Sequence, residues 1–169
     1  MSVVDETPEQ ETPAVGLSLR DRVQAREREL ERSSVNAILV PVPGLEDFLA
    51  VRYRPLSFQE MVKLEKRHER LVEEKPAEGF VRVAADKLIH AEPHIMEMNG
   101  DGKWHDTEYT LDARAARDLF GRDLGENATR RDAVRAIFRD DEGLIEHAAK
   151  YEELRRVARS GVDGSLEGE

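Results

Sequence analysis

The sequence predicts a mostly helical α+β protein with two short β-hairpins, about five helices, an additional N-terminal charged helix and disordered acidic tails. Apolar residues recur at helical spacing in several segments, and two pairs of β-rich runs flank turn-forming residues. Both ends are acidic and contain Gly or Pro. We expect four parts, in order: a disordered arm (1–16), a charged helix (17–33), a single α+β domain (34–159) and a disordered tail (160–169).

Composition excludes several classes of protein. Charged residues make up 37% of the 169 and hydrophobic residues 39%, against averages of ~25% and ~45–50%. The chain has no Cys, so it forms no disulfide, and no window approaches the ~18 apolar residues of a membrane span. Acids interleave with every group of Lys and Arg, and the net charge is -10. We therefore expect a cytoplasmic protein that binds neither membranes nor nucleic acid.

The predicted N-terminal helix carries one narrow apolar stripe. The segment from Leu17 to about Arg32 lacks Gly and Pro, and Leu19, Val23 and Leu30 recur along it among alternating charges. Such a helix is either solvated and loosely docked, or it binds a partner or forms a coiled coil. In the second case Leu19, Val23 and Leu30 are the partner-binding residues.

A first hairpin is predicted from two β-rich runs, AILVPVPG (37–44) and FLAVRYRP (48–55), which are separated by a Pro-Gly turn. Pro41 and Pro43 cannot donate to a β-ladder, which places the first strand at the edge of its sheet. The prolines either guard this edge against unwanted pairing or leave it able to accept another chain.

The clearest local signal is a capping box formed by Ser57 and Glu60, with Leu56 expected to pack on Met61. A helix should start there and run to about Glu74. Four of its residues should face the core: Met61, Leu64, His68 and Leu71.

A second helix is expected from about residue 79 to residue 91, limited by Pro93. Its recurring apolar residues are Phe80, Val83, Ala84, Leu88 and Ala91. A second hairpin should follow, with strands at 95–98 and 103–105. Its turn is Asn99-Gly100-Asp101-Gly102, because Asn-Gly readily adopts positive φ angles.

Three helices complete the predicted fold. They span 111–120, stopped by Gly121; 130–138, capped by Thr129; and 142–159, stopped by Gly161. The last one is amphipathic, and its stripe should dock on the core. The stripe consists of Leu144, Ala148, Tyr151, Leu154 and Val157.

The search for chemistry predicts no catalytic residue, no cofactor and no metal ion. His90 and His94 have the spacing of helical metal ligands, but Pro93 should break that helix. The loop around Asp101 lacks the alternating oxygen ligands of a calcium site. Residues 121–125 contain glycines without the Lys of a phosphate-binding loop. Acids at 140–142 should cap the last helix. We therefore expect a protein that is not an enzyme.

Six segments carry a resemblance to a known family. They are, in chain order, VPVPGLEDFLAVRYRPLSFQEM, FVRVAADKLIHAEPHI, a segment with the single Trp, LDARAARDLFG, RDAVRAIF and LIEHAAKYEEL. Two short motifs among them recur in that family: a strand that ends in Arg-Pro before a helix, and Leu-Phe-Gly. Over residues 37–158 the chain resembles the tail assembly chaperones of actinobacterial siphophages, which are phages with long non-contractile tails.

The resemblance implies a protein without an active site that coats the tape measure protein of its phage. Such a chaperone keeps hydrophobic helical segments soluble and helps tail-tube subunits polymerise around the tape measure during virion morphogenesis. The implied partners are the tape measure protein, the major tail protein and a longer form of the same chain made by ribosomal frameshifting, and self-association is a further expectation. The acidic ending GVDGSLEGE suits the short form.

Two other kinds of phage or mobile-element interaction protein fit the same residues. One is a virion connector, which would be found in purified particles, whereas a chaperone is absent from them. The other is an acidic regulator that mimics DNA. A DNA mimic would carry its acids over the folded domain, whereas seven acids and no Lys or Arg lie in residues 1–16 and 160–169.

Overall fold

The computed structural model describes residues 16–34 and 37–160. Apart from Gly16 and Ser160, the acidic arm and the acidic tail lie outside the described residues, so the expectation of disorder stays a prediction. Gly161, the predicted stop of the last helix, also lies outside them.

Within the described residues the chain forms seven helices and four strands. The helices are α1 (Leu19–Ser34), α2 (Phe58–Arg67), α3 (Glu69–Glu74), α4 (Pro76–His90), α5 (Ala113–Asp118), α6 (Arg130–Ile137) and α7 (Asp141–Ser160). The strands are β1 (Ile38–Pro41), β2 (Leu49–Tyr53), β3 (His94–Met98) and β4 (Trp104–Asp106). The predicted class, mostly helical α+β, is confirmed.

Both predicted hairpins form, and they join into one antiparallel sheet of order β1-β2-β3-β4. The joining pair is β2 with β3, where Val51 lies opposite Ile95. As predicted, β1 is an edge strand, and Pro41 ends it opposite Ala50. In the second hairpin the positive φ angle belongs to Gly102, at 77°, and not to the Asn-Gly pair.

Helix α2 starts at the predicted capping box. Ser57 Oγ accepts a hydrogen bond from the Glu60 N–H at 3.2 Å, and the Glu60 carboxylate accepts from the Ser57 N–H at 2.8 Å. Arg54 donates to both oxygens of the same carboxylate, at 2.9 and 3.1 Å. Leu56 and Met61 are both buried beneath this start. The cap therefore satisfies backbone donors that the helix itself leaves unpaired.

Replacing Ser57 by Ala is expected to lower the free energy of unfolding by about 1 kcal/mol, because the Glu60 N–H loses its acceptor. Ser57→Asn, which keeps a side-chain acceptor, is expected to stay within a few tenths of a kcal/mol of the wild type. Urea denaturation of the three proteins measures both differences. Equal losses in the two variants would mean that the cap does not contribute the stability.

The helix predicted to run to Glu74 is interrupted at His68, where φ is -110° and ψ is 9°. The buried His68 side chain instead reaches Asp86 on α4, and a new helix, α3, begins at Glu69. Leu71, expected in the core, is consequently only half-buried. A contact between distant segments thus overrides the local helical pattern.

Helix α4 begins at Pro76, three residues before the predicted start, with the proline at the first helical position. It packs tightly on α3 through Gly79, where an added Cβ would lie 2.6 Å from the Val72 Cα. Phe80, predicted as part of the apolar stripe of this helix, is 55% exposed. The close approach of the two helices leaves this side chain beside α3, outside the main core.

In the helices after the sheet, the predicted stop at Gly121 and the predicted cap at Thr129 both form. Helix α5 is shorter than expected and is capped by Asp112, and its end is closed by Gly121 at φ 63°. The Arg122 N–H donates to the Ala116 carbonyl there. This hydrogen bond accompanies the left-handed backbone conformation of Gly121 that ends the helix. Thr129 caps α6 in a second capping box.

The core lies between the sheet and helices α4, α6 and α7, with α4 and α7 in mutual contact and α7 also against β1. In α7 the predicted stripe is buried through Tyr151, after which Leu154 is half-buried and Val157 is 43% exposed. The largest fully buried side chains include Tyr53, Tyr151, Leu56, Leu64, Leu88, Ile95, Leu111 and Leu144.

Candidate partner-binding site

Helix α1 places its apolar stripe at the surface. The helix contacts α7, yet Leu19 is 69% exposed and Val23 is 51% exposed. The Leu30 side chain lies outside the part of the chain whose side chains are described. Of the three predicted partner-binding residues, two therefore point to solvent from a helix that is docked on the rest of the protein.

A groove lies between α2, α3 and α4, and it has a volume of about 640 Å3. Its floor is apolar, and Phe80 stands at the surface beside it. The lining residues are Val62, Glu65, Lys66, Glu69, Val72, Glu73, Phe80, Val83 and Lys87. No pattern identified in the sequence predicted this groove.

The signal that indicates the groove is a second stripe on α4. Val81, Ala84, Ala85 and Leu88 recur at three- and four-residue steps and are buried in the core. The adjoining face carries Phe80, Val83 and Lys87 at steps of three and four, and all three line the groove. A helix that is apolar on two faces contacts two surfaces.

Acidic side chains follow one edge of the groove. Glu65, Glu69 and Glu73 recur at four-residue steps along α2 and α3. Glu65 is paired with Lys87 across the groove at 3.4 Å. Among the side chains that the structure describes, those of residues 16–28 and 37–159, no Lys, Arg or His nitrogen lies within 4.0 Å of a Glu69 or Glu73 carboxylate oxygen. The groove thus combines an apolar floor with two acids that lack an ion pair.

A buried cluster of titratable groups connects the helices that form the groove. His68 Nε2 donates to Asp86 Oδ2 at 2.6 Å, and Arg131 of α6 donates to both carboxylate oxygens at 3.0 and 3.1 Å. Burial of Asp86 raises its pKa, but the hydrogen bonds from Arg131 and His68 outweigh this and hold the pKa below its usual value. The cluster ties the α2–α3 junction to α4 and α6.

A second buried cluster surrounds His147 on α7. Its Nε2 accepts from the Tyr53 hydroxyl at 2.8 Å, and its Nδ1–H donates to the Pro41 carbonyl at 3.1 Å. The ring also packs on Phe138, with centroids 4.4 Å apart. Burial lowers the pKa of His147 to about 3 and raises the pKa of Tyr151, whose ring also packs on Tyr53, to about 12. Both nitrogens of the imidazole are therefore engaged by protein groups.

The motifs weighed for chemistry adopt the structural roles that the sequence favoured. His90 ends α4 and His94 begins β3, so their spacing is not helical. The residues from Asn99 to Gly102 form the hairpin turn, and residues 121–125 connect two helices. Asp140 caps α7 by accepting from the Gly143 N–H at 2.7 Å.

No group of three or more His, Cys, Asp or Glu in the described part of the chain is arranged to hold a metal ion. None of the helices in the same part is both long enough and apolar enough to cross a membrane.

Comparison with known proteins does not extend these observations. The chain matches no protein-family model, no curated protein and no solved structure.

Proposed function

We propose that this protein is a phage tail assembly chaperone that binds and solubilises the tape measure protein without catalysis. The proposal takes its partner from the resemblance of residues 37–158 to that family. The observation that carries it is the display of apolar side chains on an otherwise charged surface, on α1 and in the groove beside α4. A chaperone of this kind needs such surfaces to cover the exposed apolar stripes of its client.

The environment of the buried ionisable groups also supports a binding role. Both ring nitrogens of His147 are hydrogen-bonded to protein groups, and Asp86 accepts three hydrogen bonds from His68 and Arg131. The groove next to Asp86 contains apolar side chains together with Glu and Lys. Binding of an apolar helical segment requires such a surface and no proton transfer.

Co-expression with the tape measure protein of the same phage is expected to raise the soluble yield of that protein severalfold, because a binder lowers the free concentration of the aggregating species. Changing Leu19, Val23 and Leu30 together to Ser is expected to weaken the rescue, while the circular dichroism of residues 37–158 stays nearly unchanged. The soluble and pelleted fractions of the tape measure protein, compared by quantitative immunoblot, measure the effect.

The control is Phe48→Ser, which removes an apolar side chain of similar exposure, 51%, in the turn just before β2. It is expected to leave the rescue intact. If the tape measure protein is equally insoluble with and without both natural forms of this chain, the chaperone proposal is wrong. Presence of the protein in purified virions would instead support a connector.

A further inference from the structure

We propose that the groove between α2, α3 and α4 binds one amphipathic helix whose apolar stripe is flanked by Lys or Arg. The apolar stripe would lie on the groove floor, and its basic side chains would pair with Glu69 and Glu73. The identity of the bound protein, the tape measure protein, rests on the proposed function. The chemistry of the bound segment rests on the groove alone.

The dimensions of the groove fit a helix. Along α4 the lining runs from Phe80 to Lys87, which is about 10 Å at 1.5 Å per residue. Helices bound in grooves present anchors at positions i, i+3 or i+4, and i+7, and these anchors span the same length.

The composition of the floor selects apolar anchors. Val62, Val72 and Val83 line it, and Phe80 presents a largely exposed ring beside them. Four residues before Val62, on the same face of α2, Phe58 is 72% exposed and extends the apolar surface. Covering two exposed phenylalanine rings removes a large apolar area from water, and this is the main driving force for docking.

The acidic edge of the groove favours basic residues beside the apolar stripe of the bound helix. Other acids near the groove already have cations: Glu74 pairs with Arg70, and Glu78 pairs with Arg82. Glu69 and Glu73 differ, since they have no ion pair among the described residues and stand one helical turn apart. Two basic residues spaced by four on a bound helix would face them. The lining as a whole holds three Glu and two Lys, Lys66 and Lys87, and is therefore net acidic by one charge. A basic flank is complementary to this edge, whereas an acidic flank is repelled by it.

The test uses the full chain and two designed peptides of about 18 residues, long enough to form a helix. Both carry the same Leu stripe at i, i+3, i+4 and i+7; one is flanked by Lys and the other by Glu. We expect the Lys-flanked peptide to bind about tenfold more tightly at low salt, with the preference weakening as salt is added. Fluorescence anisotropy of labelled peptides measures both affinities.

Two variants, one single and one double, test where the peptides bind. Phe80→Ala is expected to lower the affinity for both peptides about tenfold. Phe48→Ala, which changes a side chain of similar exposure, is expected to leave both affinities unchanged. The double change Glu69→Lys and Glu73→Lys is expected to reverse the preference. Its matched control is Glu142→Lys with Glu146→Lys, since these acids are also exposed, four apart, and start in the first turn of a helix.

Each other outcome overturns the proposal. Equal binding of the two peptides, or a reversal produced by the control pair, removes the assigned role of Glu69 and Glu73. If neither peptide binds and sedimentation shows self-association that Phe80→Ala abolishes, the groove takes a second copy of this chain instead. Because the peptides replace the tape measure protein, a failure of the groove and a failure of the chaperone function give different results. If the Phe80→Ala variant solubilises the tape measure protein as well as the wild type does, the chaperone function stands and the groove is not its binding site.

Discussion

Lowering the pH from 6.5 to 5 is expected to reduce the free energy of unfolding by about 2 kcal/mol, largely because of His147. In the folded protein burial lowers the pKa of this histidine from 6.5 to about 3. The unfolded chain therefore takes up a proton near pH 6.5, whereas the folded protein does not. Stability contributed by the neutral ring is complete above pH 6.5 and is lost as the pH falls towards 3, at about 1.4 kcal/mol per pH unit.

The geometry explains why protonation is unfavourable. His147 is 1% exposed, and its Nε2 is the acceptor for the buried Tyr53 hydroxyl. Protonation would turn this acceptor into a donor, and the Tyr53 proton would lose its partner in a region that water does not reach. The Pro41 carbonyl, which accepts from Nδ1–H, favours the charged form but does not offset burial.

Carboxylates contribute in a lower pH range, which allows the two effects to be separated. Hydrogen bonds from Arg54 are the largest cause that lowers the pKa of Glu60 from 4.5 to about 2. The contribution of the ionised Glu60 carboxylate to the free energy of unfolding is present above pH 4.5 and is lost only between pH 4.5 and about 2. The interval from pH 6.5 to 5 therefore reports mainly on the histidine.

Urea denaturation at several pH values between 5 and 7.5 measures the slope. His147→Gln, whose amide keeps a donor and an acceptor without titrating, is expected to be less stable at pH 7 and to show a flatter dependence. His90→Gln, which removes an exposed histidine, is the matched control. An equal loss of slope in both variants would contradict the assignment to His147.

Features fixed by neighbouring residues were predictable from the sequence. The capping boxes at Ser57 and Thr129 need residues only three apart, and both form. The hairpins likewise follow from adjacent runs and their turns. The predicted stripe of the last helix omitted His147, although this residue lies three after Leu144 and four before Tyr151 and is buried with them.

Features that depend on distant contacts were not predictable in this way. The pairing of β2 with β3 joins strands separated by three helices, and the sequence does not specify it locally. The break at His68 depends on Asp86, 18 residues later. Phe80 recurs at helical spacing with buried residues of α4, so its spacing alone does not show that it is 55% exposed.

Replacing Arg131 by Met is expected to lower the free energy of unfolding by about 3 kcal/mol, because it leaves the Asp86 carboxylate buried with His68 as its remaining side-chain partner. The double variant with Asp86→Leu is expected to cost less than the sum of the two single changes, since it removes the uncompensated charge. Arg82→Met, which breaks a half-exposed pair with Glu78, is the control and should cost under about 1 kcal/mol.

The same substitution connects stability to the proposed binding surface. The His68–Asp86 contact holds the α2–α3 junction against α4, and those three helices form the groove. The Arg131→Met substitution should loosen that junction. We therefore expect the folded Arg131→Met protein to bind the Lys-flanked peptide more weakly than the wild type does. The Arg82→Met protein should bind it as the wild type does. Calorimetric titration at a temperature well below both unfolding midpoints measures this. Unchanged affinity in Arg131→Met would mean that the buried cluster stabilises the fold without setting the shape of the groove.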